Sequence, residues 1–383
     1  MYSRRHASKT NKDESTISVF TISKLITSTY ISFLHFCLSD APANDDDWKG
    51  MDWQGLHDFA AKQAITGVVF RGVERLGKGA GIAKEVLFNW FAESEQIKQR
   101  NTLLNAVTTA VTKRFANDGF RFCILKGQGN AMMYPDPATR NPGDIDVWLE
   151  GSRKDILSYV RSVSPDAPFQ YHHVDYPPVK GVGIEVHFMP SFFSNPLQNR
   201  KMQAFFKEQA DEQFRHFIQL PGCAGQVAVP TDAFNRVYQM THIMRHLFDE
   251  GIGIRQLMDY YFLLKRGFTE EERQRTVKTL EHLGMTKFTS AVMYVLQQLF
   301  GMEDRLLLVK PDKHLGEVVL EEVFHTGNFG RQEDRFVADS HTGMGFAKTV
   351  MRRLPHLMRY FPVETLSRPL FLAWYPLWKK RYE

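Results

Sequence analysis

Asp144 and Asp146 are the residues of this 383-residue chain whose type and spacing point most directly to chemistry. They lie in Gly143-Asp144-Ile145-Asp146-Val147-Trp148-Leu149, which alternates at the period of a β-strand. Ile145, Val147 and Leu149 then share one face, and the two aspartates share the other. Carboxylates held side by side repel, and a divalent cation removes that cost. Mg²⁺ in phosphate chemistry is typically held by one or two carboxylates plus substrate phosphates. The plainer alternative is a solvent-facing strand whose outward residues happen to be acidic. A second alternating stretch, Gly183-Ile184-Glu185-Val186-His187-Phe188, sets Glu185 and His187 opposite Ile184, Val186 and Phe188. If the two strands are neighbours, three acids meet on one sheet edge. Such a site can hold two metals around the attacking and leaving oxygens of a phosphoryl transfer.

Cations precede these acids. The apolar run Phe122-Cys123-Ile124-Leu125 reads as a buried strand that stops at Lys126-Gly127-Gln128-Gly129, where glycine allows a tight turn. A short helix is expected over 127–133, its free N–H groups suited to a phosphate. An unpaired buried ammonium is costly, so Lys126 must meet a carboxylate or a phosphate. Arg140 is either an ordinary loop arginine or a cation for leaving pyrophosphate. His187 is either a half-exposed sheet histidine or a support behind the metals or substrate. His242 and His246 have a zinc-compatible spacing, but no His-Glu-x-x-His and no third ligand accompany them, so packed or hydrogen-bonded histidines are expected. Arg255 and Asp259 can pair across a helical turn, or Arg255 can face the cleft and contact a phosphate or base.

Leu125-Lys126-Gly127, the Tyr134-Pro135 turn, Arg140, Gly143-Asp144-Ile145-Asp146 and Glu185-Val186-His187 together resemble the bacterial uncharacterised nucleotidyltransferase family. That family is a branch of the polymerase-β-like superfamily, whose usual signature is a strand, a Gly-Gly or Gly-Ser turn, a helix and Asp-x-Asp. This chain departs at the turn, with the Lys126-Gly127-Gln128 form associated with the branch. A Trp-x-x-Leu-like helix and an Asn-rich helix (Asn101, Asn105) before the core extend the resemblance. So does a His-rich helix followed by Gly251-Ile252-Gly253-Ile254-Arg255-Gln256-Leu257-Met258-Asp259, and the likeness spans most of residues 45–265. It implies Asp144, Asp146 and Glu185 as metal and catalytic carboxylates. Lys126, Gly127, Gln128, Arg140 and Arg255 would bind the nucleotide, with His187 and His246 in support. The implied cofactor is Mg²⁺ or Mn²⁺, the implied substrate an NTP such as ATP, and the acceptor a small molecule, protein or RNA.

The positions that flank these residues set the organisation. At 43% apolar and 13% aromatic, the chain can bury a large core. Its net charge of +5 is uneven: residues 348–383 carry eight Lys or Arg against two Glu, leaving the first 347 at about −1. The body is therefore no basic nucleic-acid platform. Three isolated cysteines exclude a disulfide framework and fit a reducing cytosol. No integral membrane segment or signal peptide is expected, so the protein is expected to be cytoplasmic. The expected fold is α+β, a small mixed sheet flanked by helical regions. Residues 1–15 are expected to be disordered, 16–118 helical, 119–230 the nucleotidyltransferase α/β core, 231–330 a helical bundle and 331–383 a basic aromatic tail. Expected helices run over 17–38, 53–76, 85–116, 152–162, 231–248, 254–265, 270–283 and 287–300, with strands at 171–174, 183–189 and 226–229. The tail suits a nucleic-acid backbone or an anionic membrane, though aromatic residues packed back on the bundle are the foremost expectation. Pro355, Pro362, Pro369 and Pro376 argue against one continuous helix there.

The expected function is metal-dependent transfer of a nucleoside monophosphate from an NTP to an acceptor hydroxyl or amine, releasing pyrophosphate. The alternatives are an inactive nucleotide-binding or regulatory module on the same fold, and a phosphodiesterase using the same metals.

Overall fold

Helix α4 (Lys84–Asn117) is the longest element of the computed structural model, which describes residues 28–328, 351 and 357–383. Its buried positions recur every three or four residues, from Trp90 and Ile97 to Leu104, Val111 and Phe115. The helix stops where the chain supplies a left-handed glycine. Gly119 (φ 89°) donates to Ala116 O, and Phe120 N donates to Phe115 O, the paired bonds of a Schellman stop. Before α4 come α1 (28–38), α2 (Trp53–Lys62) and α3 (Thr66–Glu74). The single block expected over 53–76 is thus broken between α2 and α3. The buried Gln63 there accepts from Ile254 N (2.9 Å) and donates to Val323 O (3.1 Å), tying the break to the C-terminal half. The expected disordered N-terminus and the first part of the 17–38 helix lie outside the described residues.

The central sheet has the order β1-β2-β4-β3, from β1 (Phe122–Ile124), β2 (Ile145–Leu149), β3 (His173–Val179) and β4 (Val182–His187). β2 runs antiparallel to β1 and parallel to β4, with α6 (Arg153–Val163) in the connection; Ser152 caps α6 through Asp155 N. β3 and β4 form a hairpin, tighter than expected and turning at Lys180-Gly181, both at positive φ. β3 also runs past the expected end at 174 and takes in Pro177 and Pro178. Prolines are tolerated there because β3 is the outer strand of the sheet, and the ladder is irregular between Tyr176 and Val179.

Alternation gives the sheet two chemical faces. Ile145, Val147, Leu149, Val174, Tyr176, Val182, Ile184 and Val186 pack with Leu104, Val107, Val111 and Phe115 of α4 and Ile156, Leu157 and Val160 of α6. The opposite face carries the acids and histidines, with Trp148 stacked on Phe234 at 6.1 Å. Helix α7 (Pro196–Gln213), capped by Asn195, strand β5 (Phe217–Gln219), paired with β6 (Gln226–Ala228), and a later helix over 313–326 have no counterpart among the expected ones. Five helices follow: α8 (Asp232–Asp249), α9 (Ile254–Lys265), α10 (Glu270–His282), α11 (Thr286–Phe300) and α12 (Lys313–Thr326).

The tail requires a correction. Pro362, Pro369 and Pro376 all lie in one helix, α13 (Pro362–Lys379). Pro362 sits in the first turn, where no N–H bond is lost. Tertiary packing holds the rest through two interior prolines: Glu364 Oε1 accepts from Ser194 N (3.1 Å), and Phe371 and Trp378 meet Tyr171 edge-on at 5.3 and 4.8 Å. Pro355 and the preceding segment fall outside the described residues.

The two-faced sheet yields a simple stability contrast. Truncating fully buried Leu104 to alanine should cost about 2–5 kcal/mol in urea denaturation. Phe88→Ala on the exposed side of the same helix should stay within about 0.5 kcal/mol of wild type. Equal losses would mean that α4 does not pack on the sheet in this orientation.

Candidate active site

The parallel register of β2 and β4 places Asp146 directly beside Glu185 and Trp148 beside His187. Asp144 precedes β2, two residues from Asp146. Oxygens of Asp144, Asp146 and Glu185 all lie within 4.8 Å of one another. The β1–β2 pairing continues one residue beyond β1, with Leu125 N donating to Asp146 O at 3.0 Å. The next residue, Lys126, thereby reaches the side chain of the same residue, its Nζ 3.0 Å from Asp146 Oδ1. Gly127 then turns with φ 54° and ψ −114°, a backbone conformation that side-chain-bearing residues rarely adopt, and a Cβ there would lie 3.4 Å from Asp144 O. Helix α5 (Gln128–Ala131) is shorter than the 127–133 expected.

Asp146 is 2% exposed and bonded from both sides. His187 Nε2 lies 2.9 Å from Asp146 Oδ1 and 3.4 Å from Glu185 Oε2. Burial works against the charged form, but Lys126 and His187 overcome it and hold Asp146 below the usual carboxylate range. In the same way burial would discharge His187, and its bonds to Asp146 and Glu185 raise it instead. Glu185 is likewise lowered against burial, by His187 and by His173, whose Nδ1 is 3.2 Å from Glu185 Oε2. Asp144 has no such partner among the described residues. It stands at the exposed mouth of the cleft, yet crowding by the surrounding protein and the charges of Asp146 and Glu185 push its carboxyl up to about 6. Three oxygen donors with excess negative charge fit a hard divalent cation.

A second buried carboxylate closes the other wall. Arg140 grips Asp259 with two bonds of 2.8 Å, while Tyr134 Oη (2.6 Å) and Asn130 Nδ2 (3.0 Å) complete its shell. Gln239 of α8 donates to Asn130 Oδ1 at 3.2 Å, so α5, the Arg140 loop, α8 and α9 share one network. Arg255 does not pair with Asp259 across its helix turn. Its Nη1 donates to Asn141 O (3.3 Å) and Pro142 O (3.4 Å), and burial together with the Arg140 charge pushes it down to about 10, so it stays cationic.

Lys126, Gly127, Arg140, Asp144, Asp146 and Arg255 all line one cleft. His242 also lines it, with its imidazole kept well below its ordinary range by burial and the Lys126 charge. On β4, Glu185 and His187 adjoin Asp146 without lining the cleft, and Gln128 and His246 sit elsewhere. Gln128 is buried against α4, its amide donating to Asn105 Oδ1, so its side chain does not face the cleft. His246 lies one turn beyond His242 at a ring separation of 4.3 Å, beside Arg245 and Glu250 and away from the cleft lining. Asn130, Gln239 and His173 are contributors that sequence reasoning missed, and Tyr134 entered it only as part of a turn. For His173 a signal existed: in antiparallel pairing it falls opposite His187. Asn101, known before only as part of a resemblance, ties α4 to the loop by donating to Ala138 O and Arg140 O, both at 2.8 Å.

The sequence model of a family described as Uncharacterised nucleotidyltransferase matches residues 49–301. No curated protein matches the chain. Among solved structures, the crystal structure of an antigenic nucleotidyltransferase-like protein from Paracoccidioides brasiliensis is similar at 12% identity. The likeness covers 56% of this chain and 96% of that one, with a TM-score of 0.34.

Two measurements check this electrostatic arrangement. Asp144 titrates near 6 in the folded chain, above the roughly 3.9 of an unfolded aspartate. The folded state therefore holds that proton more tightly, and this stabilising contribution is lost as pH rises from about 4 to about 6. In chelator, Asp144→Asn should raise Tm at pH 7 but not near pH 4, and Mg²⁺ should raise the wild-type Tm at pH 7. A Tm gain independent of pH would contradict this assignment. Separately, Asp259→Ala strands the buried Arg140 guanidinium and should cost about 3–5 kcal/mol in urea.

Proposed function

The chain belongs to the uncharacterised nucleotidyltransferase family, and we propose from that premise that it transfers a nucleoside monophosphate from an NTP to an acceptor hydroxyl or amine. The observation that carries this reading is the meeting of Asp144, Asp146 and Glu185 within 4.8 Å of one another, with Lys126 3.0 Å from Asp146 and lining one cleft with the two aspartates. The three carboxylates would hold Mg²⁺ or Mn²⁺, and a bound cation of that kind supplies Lewis-acid stabilisation of the developing negative charge.

The rest follows from the chain's own residues. The acceptor oxygen or nitrogen forms a bond to the α-phosphorus as the bond from that phosphorus to the α–β bridging oxygen breaks, and pyrophosphate leaves. Glu185, whose Oε2 lies beside His187 and His173, would take the acceptor's proton. Lys126 offsets charge on the transferred phosphoryl group, and Arg255, still cationic at the cleft wall, suits the leaving pyrophosphate. Arg140 is committed to Asp259 by two bonds, so we assign it to positioning the loop before Asp144. An NTP-supplied compartment, the cytoplasm, is the setting this reading expects.

A second reading has its own observation. Lys126 and His187 both bond the same oxygen of Asp146, so the acids are partly neutralised without a cation. A module that binds nucleotide without turnover is compatible with that state. Incubation with each labelled NTP, Mg²⁺ and cell extract separates the two. The enzyme reading expects label in an acceptor and pyrophosphate release, each reduced at least about a hundredfold by Asp146→Ala. Nucleotide that raises Tm with Mg²⁺ but yields no product would favour the binding module.

A further inference from the structure

Helix α13 is mounted with its polar residues inward. Glu364, Thr365, Ser367 and Arg368 are buried. Arg368 donates to Ser194 Oγ at 3.1 Å and pairs with Asp249 at the end of α8, and Glu364 accepts from Ser194 N. The opposite side presents Val363, Leu366, Leu370, Trp374 and Leu377, between 41% and 74% exposed. Their spacing of three and four residues aligns them along one side of the helix for nearly its whole length. A surface helix ordinarily turns its leucines to the core; this one buries Phe371 and Trp378 together with a carboxylate and a guanidinium, and leaves Leu366, Leu370 and Leu377 outside. Contiguous exposed apolar surface of this kind marks a contact with something outside the chain.

We propose that α13 seats the protein on an anionic lipid bilayer, lying in the plane of the interface with this stripe among the headgroups and upper acyl chains. Charge complementarity selects that occupant. Exposed Arg359 stands before the helix and exposed Lys380 and Arg381 directly after it, while the one acid within α13, Glu364, is buried. The last 36 residues carry a net +6 on a body of about −1. A second copy of the same face would bring these cations against each other, whereas anionic headgroups attract each of them. Trp374, part apolar and part polar, suits the headgroup level. No helix among the described residues is long and apolar enough to cross a membrane, which is consistent with a helix that lies on the surface.

Sedimentation of the full chain with vesicles tests this, using phosphatidylcholine alone and phosphatidylcholine mixed with phosphatidylglycerol. Binding to the anionic vesicles only, weakened by salt, is the expected result. Lys380→Ala and Arg381→Ala should each cost about fivefold in partitioning. Leu370→Glu combined with Leu377→Glu should abolish binding; both side chains are exposed, and an unchanged Tm will show that the variant folds. Asp146→Ala should bind vesicles like wild type, so the lipid result stands apart from catalysis. Three outcomes overturn the proposal: no vesicle binding; binding that the double glutamate variant retains; or a wild-type dimer, seen by analytical ultracentrifugation, that the variant dissolves without any lipid effect. Protection of residues 363–377 from hydrogen exchange in lipid-free protein, relieved by deleting 329–350, would also overturn it by assigning the stripe to the chain's own segment.

Discussion

Asp146 is a carboxylate buried in the middle of a sheet, and a buried charge must be compensated where it stands or else be given up. Most of the local architecture answers that requirement. The β1–β2 ladder runs one residue long, and that extra residue delivers Lys126 to Asp146 Oδ1. The parallel β2–β4 pairing brings His187 to the same oxygen through the residue two beyond Glu185. Gly127 permits the turn that lets the chain leave β1 and still keep the lysine in place. With Lys126 and His187 on one oxygen, Asp146 stays ionised, and the least compensated acid is Asp144 at the cleft mouth. A group at the mouth meets an arriving cation or phosphate first, which makes the least compensated acid the most accessible one.

The apolar face of the sheet makes this arrangement rigid. Ile145 and Ile184 flank the acidic pair in sequence and point into the cluster made with α4 and α6. A register slip of one residue would exchange them with Asp146 and Glu185 and drive two carboxylates into that core, so the register is strongly specified. The Asp259 network does the same for the opposite wall. It accepts four hydrogen bonds from Arg140, Tyr134 and Asn130, and its cost of burial is met by geometry that joins the loop before Asp144 to α9.

What could be read beforehand divides along the range of the interaction concerned. Strand alternation around Asp146 and Glu185 is a period-two pattern carried by neighbours in sequence, and helix ends such as Thr231 before α8 are local bonds to the first turn. Both were legible. The partner of Arg140 was not, because Asp259 lies 119 residues away and nothing local distinguishes a gripped arginine from a free one. Gln128 failed for a related reason: its neighbours belong to a phosphate-binding turn, but its helical position aims it at Asn105 on α4. The prolines of α13 show tertiary packing overriding a local rule. Each interior proline removes a backbone bond, yet Glu364, Arg368 and the aromatic contacts to Tyr171 and Phe192 hold the helix against the body. β3 tolerates its two prolines because it is an outer strand, and strand order is a property that a single segment does not carry.

Helix α8 links the cleft to the last helix. Its middle carries Gln239 and His242 on the cleft wall, and its last residue, Asp249, receives Arg368 of α13. Both contacts involve buried polar groups that cannot be left unpaired cheaply, so a displacement of α13 would have to break the Arg368 pair or move the end of α8 with it. Ser194 is held from the same side by Glu364 and Arg368, and it precedes α7, whose Phe206 packs against Phe234 of α8. The two ends of α8 are therefore braced by different partners, the N-terminal end by α7 and the C-terminal end by α13. No loop stands between Asp249 and His242, so the Arg368 pair and the cleft wall belong to one continuous helix.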